Sequence, residues 1–476
     1  MDEKNLYNLI YRYLLARIYY GFYPKDEYLP SIHKLSSLFG ISTMAVRNAL
    51  KLLEQDGYIY TESNRRSVVL YDKEKEKKKI PGIIMLTEAD IQYMYQSFAL
   101  IFSYIYYYGF AMSSPRDIQD MYQILNRPSV SWDEPVIAYL ASLVKKMRNP
   151  LLLSLYYDVI LFCYPSYLGV LAGNPEHWED SYKKMNEKLY HILQFKEKNE
   201  DEKLWDMLQH IQPDFQVDND PSSISQNTID YHWGKPRPGL SAANEIVSRI
   251  FDGQYPVNSF LPSARLLSEE FSIAPITMRR SIALLNDLGV TDSINGKGTR
   301  VLSPEEGREK IKWGDPAVRK NIMLYLQALQ ILALTCRPLT VNAFSLVSPQ
   351  KRRRTIEEIK QREQMGYTGA ANVLCVKTLV SVLNLPALKD IFDKLLSFLI
   401  WGQPLSYLKP TVPVDSFTRQ LISGLESENA ALFCSALEQT IAATFLTSKA
   451  KAVSMGIEEA NTLPLPEGLG VVPDTI

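Results

Sequence analysis

The chain has 476 residues, with 52 Lys and Arg against 53 Asp and Glu and a formal charge of −1. That length accommodates three or four domains, and 46% apolar with 22% charged residues is the balance of a soluble globular protein. Near-neutrality excludes a global attraction to nucleic acid, so any such binding needs a local positive face, with modest non-specific affinity and a limited salt slope.

From the N-terminus, Leu9, Ile10, Tyr13, Leu14, Arg17 and Ile18 fall on one helical face, closed by Gly21 with Pro24 beyond. Leu29, Pro30 and Ser31 supply an extended step and a cap for a second helix that turns Leu35, Leu38 and Phe39 inward. Gly40 to Ser42 form a turn, Ser42 caps a third helix with Val46, Ala49, Leu50 and Leu53 inward, and Gly57 stops it. Tyr58 to Tyr60 and Val68 to Leu70 are predicted strands around the polar turn Ser63, Asn64, Arg65 and Arg66. Three helices and a hairpin over residues 1–72 make a winged helix-turn-helix.

Lys73 to Lys79 reads as a solvated linker. Residues 80–213 then read as one helical bundle, with helices expected over Ile91 to Tyr108, Pro135 to Met147, Leu151 to Phe162 and Ser181 to Phe195. Residues 214–238, rich in Asp, Pro, Ser, Asn and Gln, form the interdomain linker.

The first element then recurs. Arg17 to Leu70 and Arg249 to Leu302 align without a gap at a shift of 232, with 18 identities in 54 positions. Such a register marks an internal duplication, with a second winged helix over 239–303. Its turn, Asn295, Gly296, Lys297 and Gly298, is a strong hairpin signal, and Pro275 suits the first residue of its third helix. A second helical bundle over 305–465 is expected from Asp315 to Leu334, Thr355 to Met365, Gly369 to Leu383, Leu388 to Ile400, Ser416 to Leu425 and Glu428 to Thr447. Lys351 to Arg354 opens one of these helices and reads as a surface face. The fold class is therefore mainly α: two winged helix-turn-helix domains alternating with two all-helical bundles.

The ordered run Gly21, Tyr23, Pro24, Leu29-Pro30-Ser31, Leu35-Ser36, Ile41, Arg47, Leu53 and Gly57, followed by a wing, resembles the GntR family of bacterial transcription regulators. The resemblance covers about 60 residues in each copy. It implies a cytoplasmic DNA-binding regulator whose third helix enters the major groove while the wing approaches the minor groove. Arg47 and Arg279 fall on the family's arginine in the recognition helix, and Arg265 falls on its arginine in the second helix, where the first copy has His33. The candidate DNA-binding residues are Ser31, His33, Thr43, Met44, Arg47, Arg65 and Arg66 in the first copy. In the second they are Ser263, Arg265, Pro275, Thr277, Arg279, Arg280, Lys297 and Arg300.

Two departures bear on specificity. Thr43 and Pro275 stand where the family usually has an arginine, and Asn64 and Arg66 replace the wing glycines found at Gly296 and Gly298. A well-placed arginine on a guanine edge is worth roughly 1–3 kcal/mol of discrimination, so its loss predicts an unusual sequence preference. Because Thr43, Met44 and Ala45 differ from Pro275, Ile276 and Thr277, the operator is expected to be asymmetric double-stranded DNA, read by one chain that acts as an intramolecular pseudo-dimer. Further homodimerisation is left open.

The bundles resemble the effector-binding domain of the FadR-type branch, which implies control by a small molecule. Many members of that branch bind a metal through histidines, but the corresponding positions are Leu140 and Cys375, and no histidine follows His232. His191 and His210 read as lone histidines on helices, so neither a metal nor another cofactor is expected. Tyr104 and Tyr107, within an aromatic cluster from Tyr93 to Tyr108, are the candidate effector-pocket residues.

Cys163, Cys336, Cys375 and Cys434 lie at no metal or redox spacing and read as buried thiols of a reducing cytoplasm. No export signal is read at the N-terminus, and the apolar runs Ile83 to Leu86 and Phe98 to Tyr108 are too short for a bilayer span, so no membrane association is expected. An aminotransferase-like enzyme domain, fused to some members of the family, needs alternating strands and helices over some 350 residues, which this chain lacks. The competing reading is a structural or protein-interaction role in which the winged helices have weakened or lost DNA binding.

Overall fold

The computed structural model describes residues 3–39, 41–61, 66–72, 86–126, 133–173, 175–211, 231, 233, 237–364, 370–408, 415–467 and 469. They are mainly helical with two small two-stranded sheets, and the chain divides into two compact units, Met1–Gly234 and Lys235–Ile476.

The first unit opens with α1 (Glu3–Tyr19), α2 (Ile32–Phe39), α3 (Thr43–Gln55), β1 (Ile59–Tyr60) and β2 (Val68–Val69), here called head 1. α1 stops where Gly21 takes a φ of 82°, which lets the amides of Phe22 and Tyr23 donate back to the Arg17 carbonyl at 2.8 and 3.2 Å. Ser31 and Ser42 cap the next two helices: their hydroxyls accept from the amides of Lys34 and Ala45, each at 3.2 Å. β1 and β2 are antiparallel, pairing Ile59 with Val69 and Tyr60 with Val68. Ile10, Leu14, Leu35, Val46, Leu53, Ile59 and Val69 are buried and close the core. Gly40, the turn residues Ser63, Asn64 and Arg65, the run Lys73 to Lys79 and most of the expected linker 214–238 lie outside the described residues.

Six helices follow: α4 (Glu88–Ala111), α5 (Pro115–Leu125), α6 (Asp133–Lys145), α7 (Pro150–Gly173), α8 (Pro175–Glu197) and α9 (Asp201–Gln209). α4 exceeds its apolar pattern by about a turn at its start because Thr87 and Asp90 form a reciprocal capping box. α7, expected to end at Phe162, continues through Pro165, since Cys163, Tyr164 and Leu168 are buried and packing outweighs the missing amide donor. α4 lies against α6, α7 and α9, and α7 also carries α1.

The second unit opens in the same order with α10 (Pro238–Phe251), α11 (Ala264–Glu270), α12 (Pro275–Asp287), β3 (Thr291–Ile294) and β4 (Gly298–Val301), here head 2. Among the described residues it continues with the α-helices α13 (Pro304–Lys310), α14 (Pro316–Ala343), α15 (Pro349–Gln364), α16 (Ala370–Val380), α17 (Pro386–Ser397), α18 (Gln403–Ser406), α19 (Asp415–Glu426) and α20 (Ala430–Ser454). The antiparallel hairpin of head 2 pairs Thr291 with Val301 through Ile294 with Gly298. α14 packs along α20, and the two are tied by a buried double hydrogen bond from Arg337 to Glu438 at 2.9 and 2.7 Å. Both helices have the length and apolar composition of a bilayer span, yet 78% of the most apolar window of α14 and 50% of that of α20 are buried within the protein, as in a core helix.

Candidate nucleic-acid interface

Head 1 and head 2 make the same backbone hydrogen bonds 232 residues apart. The amides of Asp26 and Asn258, both at φ 70°, donate to the carbonyls of Val69 and Val301 at 2.9 Å. Those of Leu29 and Leu261 donate to Ser67 and Thr299, and Tyr28 bridges to Val68 as Phe260 does to Arg300. Each head thus lashes the loop before its second helix to its hairpin.

On head 1, α3 buries Ala45, Val46, Ala49, Leu50 and Leu53. The opposite face exposes Met44, Arg47 and Lys51, with Thr43 half-buried at its start. His33 is exposed at the start of α2, next to Ser31, whose hydroxyl is engaged as the cap. Arg66 is exposed beside β2, whereas Arg65 falls outside the described residues.

On head 2, Pro275, Ile276, Arg279 and Arg280 are exposed along α12, and Thr277 is half-buried. Ser263 caps α11 through the Leu266 amide at 3.3 Å. Arg265 is exposed and donates to Glu269 at 3.0 Å. Lys297 sits at the tip of the wing between Gly296 at φ 74° and Gly298 at φ 116°, left-handed values that the Asn-Gly turn provides. Arg47, Arg279 and Arg280 have no hydrogen-bond or ion-pair partner among the described residues, so their charge is available to a polyanion.

Arg300 is different. Its guanidinium donates to Asn258 at 2.6 Å and forks onto Glu306 at 2.9 and 3.3 Å, and this pairing holds the Glu306 carboxyl below the ordinary carboxylate range. Arg300 thereby braces the wing against the start of α13.

Residues that sequence reasoning left off its candidates are Lys51, one turn after Arg47, and Ile276. The signal for Ile276 was its alignment with Met44. Away from the heads, Tyr104 and Tyr107 pack edge-on against Trp205 of α9, with ring centroids 4.5 and 5.7 Å apart. Burial, with Asp201 nearby, raises the Tyr107 hydroxyl above its usual range. His191 stacks on Phe195, and His210 caps α9 with Nδ1 2.9 Å from the Asp206 carbonyl. All four cysteines are buried free thiols, and burial pushes Cys163 up to about 12.

Residues 6–69 match the family model described as bacterial regulatory proteins, gntR family. A segment of 86 residues is 36% identical to the HTH-type transcriptional regulator TreR of Bacillus subtilis (strain 168), covering 18% of this chain and 36% of that protein. The chain thus spans about a third of the length of that relative. Two solved structures are also similar: Streptococcus agalactiae GntR, at 15% identity over 44% of this chain and 99% of that one, with a TM-score of 0.21; and a GntR family member from Pseudomonas syringae pv. tomato, at 16% over 46% and 88%, also 0.21. At those scores they carry no argument. Residues 6–69 are therefore a helix-turn-helix domain of the GntR family.

Proposed function

We propose that the chain is a sequence-specific transcription regulator, of the FadR-type branch, that carries two DNA-reading heads through internal duplication. The observation that carries this reading is the paired exposure of Arg47 and Arg279, at one position of two recognition helices held by the same loop-to-wing hydrogen bonds. In a winged helix this position faces the major groove, where a guanidinium reaches guanine edges or phosphates. The remaining proposed contacts are Ser31, His33, Thr43, Met44, Arg65 and Arg66 on head 1, and Ser263, Arg265, Pro275, Thr277, Arg280, Lys297 and Arg300 on head 2. A single chain would then do the work of a dimer on an asymmetric operator.

The helical bundles are proposed to take a small effector, with Tyr104 and Tyr107 lining its site. The ligand would alter DNA affinity by its differential affinity for two arrangements of the heads. Footprinting the intact chain on a duplex recovered from genomic fragments tests the main claim. Arg47→Ala and Arg279→Ala should each weaken binding by roughly tenfold, within the 1–3 kcal/mol of one specific arginine contact, and each should relax specificity at a different half-site. A strictly palindromic footprint would overturn the asymmetric single-chain reading, binding untouched by both changes would overturn the site assignment, and no binding to any fragment would favour a protein-interaction role instead.

A further inference from the structure

Met44 and Ile276 occupy the same place in the two heads: each is the second residue of its recognition helix, and they are 53% and 54% exposed. Each is followed, three residues on, by an exposed arginine without a partner among the described residues, and by Lys51 in head 1 and Arg280 in head 2 on the same side. A single exposed apolar side chain needs no explanation. The same exposure at the same position in both heads, on a face otherwise furnished with free cations, is a pattern that suits one surface. Duplex DNA matches it, with phosphates for the cations and, in the major groove, one large apolar feature, the C5-methyl group of thymine. The helix start is also where recognition helices bring side chains to base edges.

We infer that Met44 and Ile276 each read a thymine methyl group, so that the two half-sites, though unequal elsewhere, share a thymine at corresponding positions. The inference rests on the reading of the heads as DNA-binding. It adds a base identity that the arginines alone do not specify. It also explains how a head keeps selectivity with Thr43 or Pro275 at the first helical position: neither side chain can fork onto a guanine, and the next residue supplies an apolar contact instead.

The experiment leaves the protein's fold untouched. A duplex selected by the intact chain from a random-sequence pool is resynthesised with each thymine replaced singly by deoxyuridine, which removes only the methyl group, and affinities are measured by fluorescence anisotropy. One position in each half-site should lose roughly fourfold in affinity, the worth of burying one methyl group. Met44→Ala should abolish the uracil sensitivity of one half-site and Ile276→Ala that of the other. If no uracil substitution matters while Arg47→Ala and Arg279→Ala still weaken binding, the methyl contact is wrong and the regulator stands. If the chain selects no duplex at all, both are wrong.

Discussion

Arg17 and Arg249 hold the same position in the two heads and live in opposite surroundings. Arg17 is fully buried: its guanidinium pairs with Glu134 of α6 at 3.4 Å, reaches the Tyr13 hydroxyl, and lies over the Tyr13 and Tyr23 rings. Arg249 keeps 21% of its side chain exposed and pairs inside its own head, with Glu245 at 3.1 Å and Glu270 at 2.5 Å, over Phe271. The difference comes from two neighbours. Tyr13 and Leu38 of head 1 face the bundle, where Tyr13 stacks on Tyr164 and the Leu38 carbonyl accepts from Tyr157. Their counterparts in head 2 are Glu245 and Glu270, which keep the same face in water and neutralise the arginine locally.

Head 2 is therefore mounted by other contacts. Asn244 donates to the Ser397 carbonyl at 2.9 Å, Arg362 of α15 reaches Asp252 at 3.2 Å, and Tyr407 donates to the Gly289 carbonyl at 3.2 Å. Head 1 thus sits on the helices of its unit by the α1 and α2 face, and head 2 on those of its own by an adjacent strip of α10 and the base of its hairpin. Mounting is a property of a few surface residues, and two heads of the same element order carry different solutions while Arg47 and Arg279 stay exposed.

The sharpest way to break this comparison is to remove the acid partner in each unit. Glu134→Ala removes the carboxylate facing a fully buried guanidinium and should cost about 3–5 kcal/mol, whereas Glu270→Ala removes a half-exposed partner and should cost less than about 1 kcal/mol. Amide hydrogen exchange distinguishes the units: the first change should accelerate exchange in α1 and at the start of α6, the second should barely register in α10. Equal protection losses would mean that the two arginines do the same job.

The next effect concerns the glycines that end the recognition helices. Gly57 and Gly289 both sit at positive φ, 80° and 67°, but a Cβ at Gly57 meets only open space, whereas one at Gly289 would collide with the Gly307 carbonyl of α13. Gly57→Ala should cost roughly 1–2 kcal/mol from backbone conformation alone. Gly289→Ala adds overpacking worth about 1–3 kcal/mol and should lower the thermal midpoint distinctly further. A reversed order would place head 2 free of α13.

What the sequence made legible follows from range. The Ser31 and Ser42 caps and the Gly21 and Gly57 stops of head 1 depend on neighbours within a few residues, and their hydrogen bonds and positive φ values are those the pattern predicts. The exchange of Tyr13 and Leu38 for Glu245 and Glu270 is visible in the alignment, but its meaning depends on Glu134 and Tyr164, more than a hundred residues from the α1 face they cover. Tyr104 and Tyr107 likewise looked like a cluster of their own until Trp205, about a hundred residues on, supplied their partner. Arg300 shows the short-range case: its partner carboxylate is only six residues away, in the Ser303 and Glu306 capping box.

Capping carboxylates give the smallest and most selective test, because each unit has one held by a cation. In the first, Asp117 caps α5 and pairs with Lys146 at 2.5 Å, and these bonds, with the Ser114 amide, bring its carboxyl from 3.8 to about 2. A carboxyl lowered on folding stabilises the native state above its unfolded value, and that stabilisation drains away as the folded group is protonated. The window is thus from about pH 4 down to about pH 2. Asp117→Asn should lower the thermal midpoint at neutral pH, and the gap from the parent chain should narrow through that window. Glu306 of the second unit is lowered too, by Arg300, but both groups stand in solvent, so Glu306→Gln should show the same sign with a smaller gap. A pH-independent gap for Asp117→Asn would assign its effect to the loss of the cap geometry rather than to its charge.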